Sequence, residues 1–249
     1  MIYRNLSLLL LPFLIVACGK EKKCEDIIDE AYIYPLEAAK GKTFEEKIEL
    51  FKIPDQVLHC LSTKALIQSC IKHPNMSLMW TMSDLQGGFD KVEDYCNGYG
   101  ELWKRSDKYR NVYNLYSQLD FNREWLSFTD LQNGYYMDNI VRYELILAQY
   151  EILKNLSHSE KIELFQIALD NQKTKYSNIS HWGLVGMETT CAILSRIMYL
   201  DGYKPLIDEY NSNNLMPIHI SNFTLIGGED LVKRIMDLSD GYLIKLKSQ

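Results

Sequence analysis

The sequence predicts an all-α protein, built of helix pairs that pack as a bundle or as a short HEAT-like α-superhelix. Two segments, Thr43 to Glu46 and Ser157 to Glu160, carry the pattern of a helix-capping box. Apolar residues recur at three- and four-residue spacing along most of the chain, as the buried face of a helix requires. Strand-like alternation is confined to Met216 to Ile226. Because no partner strand is recognisable, we expect an extended connector there.

The N-terminal half is predicted to contain short helices separated by helix breakers. The first spans Cys24 to Leu36, and later ones begin after Thr43, at Pro54 and after a cap at Ser62 or Thr63. Pro74 ends the last of these helices. The next segment, 75–96, is helical but broken by glycines 87 and 88, and 97–100 has the composition of a turn.

The C-terminal half has stronger helical periodicity. Asp130 opens a segment that continues to about Leu156, and Ser157 opens the next helix. Ser180 is predicted to cap a helix with apolar residues around most of its circumference, at positions 184, 185, 187, 191, 193, 194, 197 and 198. A helix that is apolar nearly all round is buried, so we expect this one at the centre of the core. A last helix follows glycines 227 and 228.

The N-terminus has the three parts of a secretory signal. Arg4 supplies a positive charge, residues 6–16 an apolar run, and Ala17-Cys18 a small-residue cleavage site. The apolar run contains Pro12 and is shorter than the roughly 18 residues that a transmembrane helix needs. One interpretation of this segment is an ordinary cleaved secretory signal in which the cysteine at the cleavage site has no role.

The segment Ile15-Val16-Ala17-Cys18 matches the lipobox and resembles that of bacterial lipoprotein precursors. The resemblance implies that residues 1–17 are removed and that lipid on Cys18 anchors the protein to a membrane. Residues 18–25 would then form a lipidated tether, and 26–249 a single all-α domain. Gly19 favours the outer membrane over inner-membrane retention. The mixed to basic segment 20–23 favours the periplasmic face over the cell surface.

The mature chain resembles uncharacterised helical lipoproteins of Bacteroidetes. The resemblance lies in Ile53-Pro54, in the segment 61–67 with Cys70 and Pro74, and in Met187-Glu188-Thr189-Thr190. It implies that this protein shares their fold, source and export route. It implies no particular activity.

The composition excludes some classes of partner. The chain has 27 Lys and Arg against 33 Asp and Glu, a net charge of −6, and no basic block. Such a chain lacks the electrostatic footprint of a nucleic-acid-binding protein, so we expect none as a partner.

Five cysteines follow Cys18, at positions 24, 60, 70, 96 and 191. An oxidising compartment permits disulfides, but an odd number leaves at least one thiol unpaired. We interpret most of them as small buried residues, with a Cys60–Cys70 disulfide as the alternative. A zinc site of His59, Cys60, Cys70 and His73 is disfavoured, because adjacent helical residues point about 100° apart. No metal or cofactor is expected.

Glu188 is the candidate catalytic residue, because a carboxylate in so apolar a helix would have a raised pKa. Thr189, Thr190 and Arg196 could accompany it. The alternative, which we favour, is a structural acid that accepts hydrogen bonds from a loop or caps another helix. Two tyrosine groups, 109/113/116 and 135/136, could stack on sugar rings or could belong to the core.

No catalytic motif accompanies these residues. The sequence therefore favours a non-enzymatic scaffold or binding module that contacts an envelope protein or a glycan. The alternative is a cell-envelope hydrolase that uses a buried acid such as Glu188.

Overall fold

The computed structural model describes Cys24 and residues 26–249, and within them it has no named strand. The predicted signal peptide and Cys18 lie outside these residues, so cleavage and lipidation stay predictions. The all-α prediction is confirmed. The helices are α1 (Phe44–Leu50), α2 (Asp55–Leu58), α3 (Thr63–Ile71), α4 (Leu85–Tyr95), α5 (Asn97–Leu102), α6 (Lys108–Tyr116), α7 (Asp130–Leu147), α8 (Tyr150–Leu153), α9 (His158–Ser177), α10 (Ile179–Trp182), α11 (Val185–Leu200), α12 (Lys204–Ser212), α13 (Leu215–Asn222) and α14 (Gly228–Lys247). Three 3-10 helices cover Glu37–Ala39, Pro74–Thr81 and Trp125–Ser127.

Capping boxes begin α1, α7 and α9. Both predicted capping boxes are present: Thr43 with Glu46 begins α1, and Ser157 with Glu160 begins α9. A third box, Thr129 with Gln132, begins α7. In each box the cap oxygen and the carboxylate or amide satisfy two backbone N–H groups that the first helical turn leaves free.

Helix α11 lies at the centre of the core, as predicted. It packs against α7, α9, α12, α13 and α14, and its residues are buried continuously from Thr189 to Met198. Its start differs from the prediction, because Gly183 has φ of 59° and separates α10 from α11. The buried apolar side chains of the described residues form one cluster that extends from Tyr34 to Leu246. None of the helices in the described part of the chain is long and apolar enough to cross a membrane.

The predicted first helix, Cys24 to Leu36, is wrong. The described residues of this segment form no helix, and hydrogen bonds join them to α3 and to the loop before it. The Ile28 N–H donates to the Cys60 carbonyl, the Ser62 N–H donates to the Ile28 carbonyl, and the Tyr32 N–H donates to Ser69 Oγ. These bonds to α3 and its N-terminal approach replace the hydrogen bonds within a helix that the apolar spacing predicts.

Two other local predictions are wrong in the opposite sense, because both segments are helical. The predicted turn at residues 97–100 lies in α5, and most of the predicted connector from Met216 to Ile226 forms α13. In α13, Met216, His219 and Ile220 are buried at i, i+3 and i+4. The alternation of Ile218 and Ile220 concealed this helical spacing. Phe223, in the left-handed conformation with φ of 66°, ends the helix.

Gly88 explains how α4 approaches the preceding 3-10 helix. Gly87 and Gly88 lie in the first turn of α4 rather than at a break within it. A Cβ atom on Gly88 would lie 2.2 Å from the Met79 carbonyl oxygen. Only a residue without a side chain fits there, because the contact is with backbone that cannot rotate away.

Candidate functional site

An open groove of about 540 Å³ lies between the 3-10 helix Pro74–Thr81, the N-terminal half of α7 and the start of α11. Four of its lining side chains are large, apolar and solvent-exposed. Their exposed fractions are 40% for Trp80, 67% for Leu131, 67% for Tyr135 and 49% for Val185. Clusters of exposed apolar side chains in a concave surface are typical of ligand and partner sites. We call this site the Trp80–Tyr135 groove.

Helix α7 supplies one wall of the groove from a single face. Leu131, Tyr135, Asp138 and Arg142 are spaced at i, i+4, i+7 and i+11, so their side chains point in the same direction. The capping box at Thr129 places the start of this helix.

Three polar side chains of the groove, Trp80, Asp138 and Arg142, are bonded to one another. Trp80 Nε1 donates to Asp138 Oδ1 at 2.8 Å, and Arg142 Nη2 lies 2.6 Å from Asp138 Oδ2. Arg142 Nη1 donates to the Ile71 carbonyl oxygen at 2.6 Å, at the C-terminal end of α3. These contacts hold the Trp80 ring in place. They also use both carboxylate oxygens, so the surface left for a ligand is mainly apolar.

A buried ion pair lies behind the groove. Lys175 Nζ lies 2.7 Å from Glu144 Oε2, and neither side chain is exposed to solvent. The ammonium also contacts the Gly186 carbonyl oxygen at 2.6 Å and Thr190 Oγ1 at 2.7 Å, and Thr189 Oγ1 donates to Glu144 Oε2 at 2.6 Å. Burial lowers the pKa of Lys175, while Glu144 opposes this change. The network joins α7, α9 and α11, and Gly186 also lines the groove.

The sequence prediction missed this ion pair. Thr189 and Thr190, expected beside Glu188, contact Glu144 instead. Glu144 did carry a signal, because it is the acidic residue in the mainly apolar segment Ile140 to Leu147, whose other charged residue is Arg142. Lys175 carried none, since its neighbours in α9 are polar.

Glu188 is partly buried and accepts a hydrogen bond from the Leu225 N–H at 3.3 Å. Leu225 lies in the loop between α13 and α14. Burial raises the pKa of Glu188 to about 7, and the hydrogen bond from Leu225 opposes this rise. Such a contact with a loop is what the structural interpretation of Glu188 expects. Glu188 lines neither the Trp80–Tyr135 groove nor the polar cleft around Arg196.

Arg196 does not accompany Glu188. Its guanidinium donates to the carbonyl oxygens of Ala148, Ile220 and Ser221, at 2.9, 2.8 and 3.1 Å. Burial lowers the pKa of Arg196 to about 10. It lies in a polar cleft of about 400 Å³. Because three backbone carbonyls occupy its donors, Arg196 stabilises the ends of α7 and α13 rather than presenting a free charge.

The disulfide alternative for Cys60 and Cys70 is wrong. Cys60 is bonded to Cys24, with 5.4 Å between their Cα atoms. Cys70, Cys96 and Cys191 are free and buried, as predicted for most of the cysteines. The bond joins the extended N-terminal segment to the loop before α3, a contact that the wrongly predicted first helix concealed.

The four residues of the disfavoured zinc site, His59, Cys60, Cys70 and His73, have separate environments. Within Cys24 and residues 26–249, no group of three or more potential ligands could hold a metal ion. His59 is exposed and lies 3.5 Å from Glu101 Oε2, and Cys60 is in the disulfide. His73 is buried, and burial lowers its pKa to about 4.

The two tyrosine groups have different environments. Tyr109 and Tyr116 are buried, and their hydroxyls donate to the Glu160 carbonyl oxygen and to Glu144 Oε1, both at 2.9 Å. Tyr109 and Tyr116 therefore belong to the core, which is one of the two alternatives that the sequence left open. Tyr136 donates to the Asp120 carbonyl oxygen, whereas Tyr135 extends into the groove.

Comparison with protein-family models, with curated proteins and with solved structures found no match for this chain. The structure shows an all-α protein with an open, mainly apolar groove. A more particular assignment depends on the chemistry of that groove and of the N-terminus.

Proposed function

We propose that this protein is a lipid-anchored, non-enzymatic binding module of the bacterial envelope. The Trp80–Tyr135 groove is its ligand site. The observation that carries the proposal is the exposure of Trp80, Leu131, Tyr135 and Val185 in one concave surface. Exposing so much apolar surface is unfavourable in a free protein, and a bound partner relieves that cost.

The groove favours a protein partner over a glycan. Sugar hydroxyls need many hydrogen-bonding groups, and this groove offers few. Asp138 is bonded to Trp80 and Arg142, which leaves Ser77, Asp130 and the Tyr135 hydroxyl on a mainly apolar surface. What remains is an aromatic and aliphatic surface that fits the apolar side chains of a polypeptide. A volume of about 540 Å³ is enough for a few such side chains.

The position of the anchor supports a partner close to the membrane. Cys24 is held to the loop before α3 by its disulfide, and Cys18 precedes it by six residues. Six extended residues reach about 20 Å. The groove begins at the other end of α3, where Arg142 binds the Ile71 carbonyl oxygen. Nine helical residues add about 14 Å, so a lipid on Cys18 would keep the groove within some tens of ångströms of the bilayer.

The groove is tested by crosslinking in intact cells. A photoreactive amino acid replaces Tyr135, and the matched control replaces Ile244, which is 74% exposed on α14 and does not line the groove. We expect a discrete crosslinked protein from position 135 that is absent from position 244. Leu131→Ser in the same groove should reduce the crosslinking yield at least fivefold, because it removes apolar contact area. Since Leu131 is exposed, this substitution should leave the fold intact.

Two results would contradict the proposal. Equal crosslinking from positions 135 and 244 would show no preference for the groove. Turnover of envelope glycans or peptides by the purified protein, lost on Glu188→Gln, would favour the hydrolase alternative. Binding of soluble glycans that Tyr135→Ser abolishes would keep the groove as the site but change the partner from protein to glycan.

A further inference from the structure

Two of the free cysteines lie side by side in the core. Cys70 is in the last turn of α3, and Cys96 is the residue before α5. A Cβ atom on Gly98 would lie 2.7 Å from Cys70 Sγ and 3.4 Å from Cys96 Sγ. The two sulfurs therefore flank the same point, and the missing side chain of Gly98 leaves the space that lets them approach.

The surroundings select Cys70 and Cys96 as partners for each other. Both thiols are fully buried and lie against the same glycine, Gly98. The third free cysteine, Cys191, lies on α11 near Lys175 and Glu144. The protein also carries the Cys24–Cys60 disulfide, which forms and persists in oxidising compartments.

We propose that Cys70 and Cys96 form a second disulfide bond, made by thiol–disulfide exchange with an oxidoreductase while the chain folds. One of the two thiolates attacks the exposed disulfide of the oxidoreductase, and one oxidoreductase sulfur leaves as a thiolate. The second cysteine thiolate then attacks the mixed disulfide and releases the other sulfur. The two cysteines lose two protons and two electrons in total, and the oxidoreductase disulfide becomes a dithiol.

The burial of both sulfurs places this step during folding. In the closed structure neither Cys70 nor Cys96 is exposed, so an enzyme cannot reach them. Before α3 and α5 pack together, both thiols are accessible. Once formed, the bond would be shielded from reductants by the same core.

This second bond would account for every cysteine of the chain. Cys18 would carry the lipid, Cys24 is bonded to Cys60, Cys70 would be bonded to Cys96, and Cys191 would remain as a buried thiol. The inference shares with the proposed function only export to an oxidising compartment, because neither the groove nor the lipid enters the chemistry.

The test is a disulfide map of the full chain, exported to the periplasm of a bacterial host and quenched in acid. The intact mass is expected to be four hydrogens below that of the reduced chain. Digestion without reductant should yield a peptide pair joined through Cys70 and Cys96. Among Cys70, Cys96 and Cys191, alkylation after unfolding should label only Cys191, whatever the state of Cys18. Loss of only two hydrogens, with alkylated Cys70 and Cys96, would overturn the inference.

A second measurement isolates the effect of this bond on stability. The variant Cys24→Ser/Cys60→Ser is unfolded in urea either as purified or after full unfolding, reduction with dithiothreitol and refolding in its presence. Reductant should lower its midpoint, and adding Cys191→Ser should leave that difference unchanged. An identical midpoint with and without reductant would refute the bond. If the double variant does not fold, the wild-type disulfide map decides alone, and membrane fractionation tests the anchor separately.

Discussion

Glu188→Gln gives the sharpest test of the role of Glu188. Burial raises the pKa of this carboxyl to about 7 in the folded protein, against 4.5 as its ordinary value. The folded state therefore favours the protonated form. Stability from this group is fully present below pH 4.5 and is lost as the pH rises through about 7. Glutamine keeps an oxygen that can accept the Leu225 N–H but does not ionise.

The magnitude follows from the size of the pKa change. One pH unit corresponds to about 1.4 kcal/mol, so a rise from 4.5 to about 7 costs the ionised folded state up to roughly 3 kcal/mol. Partial exposure of Glu188 reduces this figure. We expect the free energy of unfolding of Glu188→Gln, relative to that of wild type, to rise by about 2 kcal/mol from pH 5 to pH 8.

The assay is urea unfolding followed by far-ultraviolet circular dichroism at both pH values. Wild type and variant must be compared at each pH, because the buried His73 and His219 have pKa values lowered to about 4. Their contribution is lost as the pH falls from 6.5 through 4, opposite to that of Glu188. Glu45→Gln, at an exposed residue of α1, is the matched control. A variant difference that is equal at pH 5 and pH 8 would refute the reasoning.

Three further changes test other parts of the structure. Cys18→Ala should release the protein from the membrane fraction, and unchanged fractionation would contradict the lipid anchor. Lys175→Met should lower the free energy of unfolding by about 3–5 kcal/mol, because Glu144 stays buried without its partner. The double variant Lys175→Met/Glu144→Gln should recover part of this loss. If the stability losses of the two single variants simply add in the double variant, Lys175 and Glu144 are not coupled. Gly88→Ala should cost about 1–3 kcal/mol by forcing the Met79 backbone to move. Gly100→Ala, with no atom within 4 Å, should cost less than 1 kcal/mol in the same urea assay.

The helical elements were largely predictable, because their signals are local. Thr43 with Glu46, and Ser157 with Glu160, cap helices through residues only three apart. The buried circumference of α11 follows from its own composition. Where the prediction failed, at the segment from Cys24 to Leu36, hydrogen bonds to Cys60, Ser62 and Ser69 outweighed local helical spacing.

Only part of the Trp80–Tyr135 groove could be predicted from the sequence. Tyr135 was singled out, but with Tyr136, whose hydroxyl is bound to Asp120. Trp80 and Asp138 are 58 positions apart, and periodicity within a helix says nothing about such a pair. The same applies to Glu144 and Lys175, and to the choice of Cys24 rather than Cys70 as the partner of Cys60.

The sequence by itself determined that this chain is helical, where α1, α7 and α9 begin, and which helix occupies the centre of the core. Its segment Ile15-Val16-Ala17-Cys18 also resembles a lipobox, and the lipid anchor stays a prediction. Tertiary structure decided which side chains meet: Trp80 with Asp138, Lys175 with Glu144, and Leu225 with Glu188. Caps and periodicity depend on residues a few positions apart, whereas these contacts depend on how whole helices pack against one another.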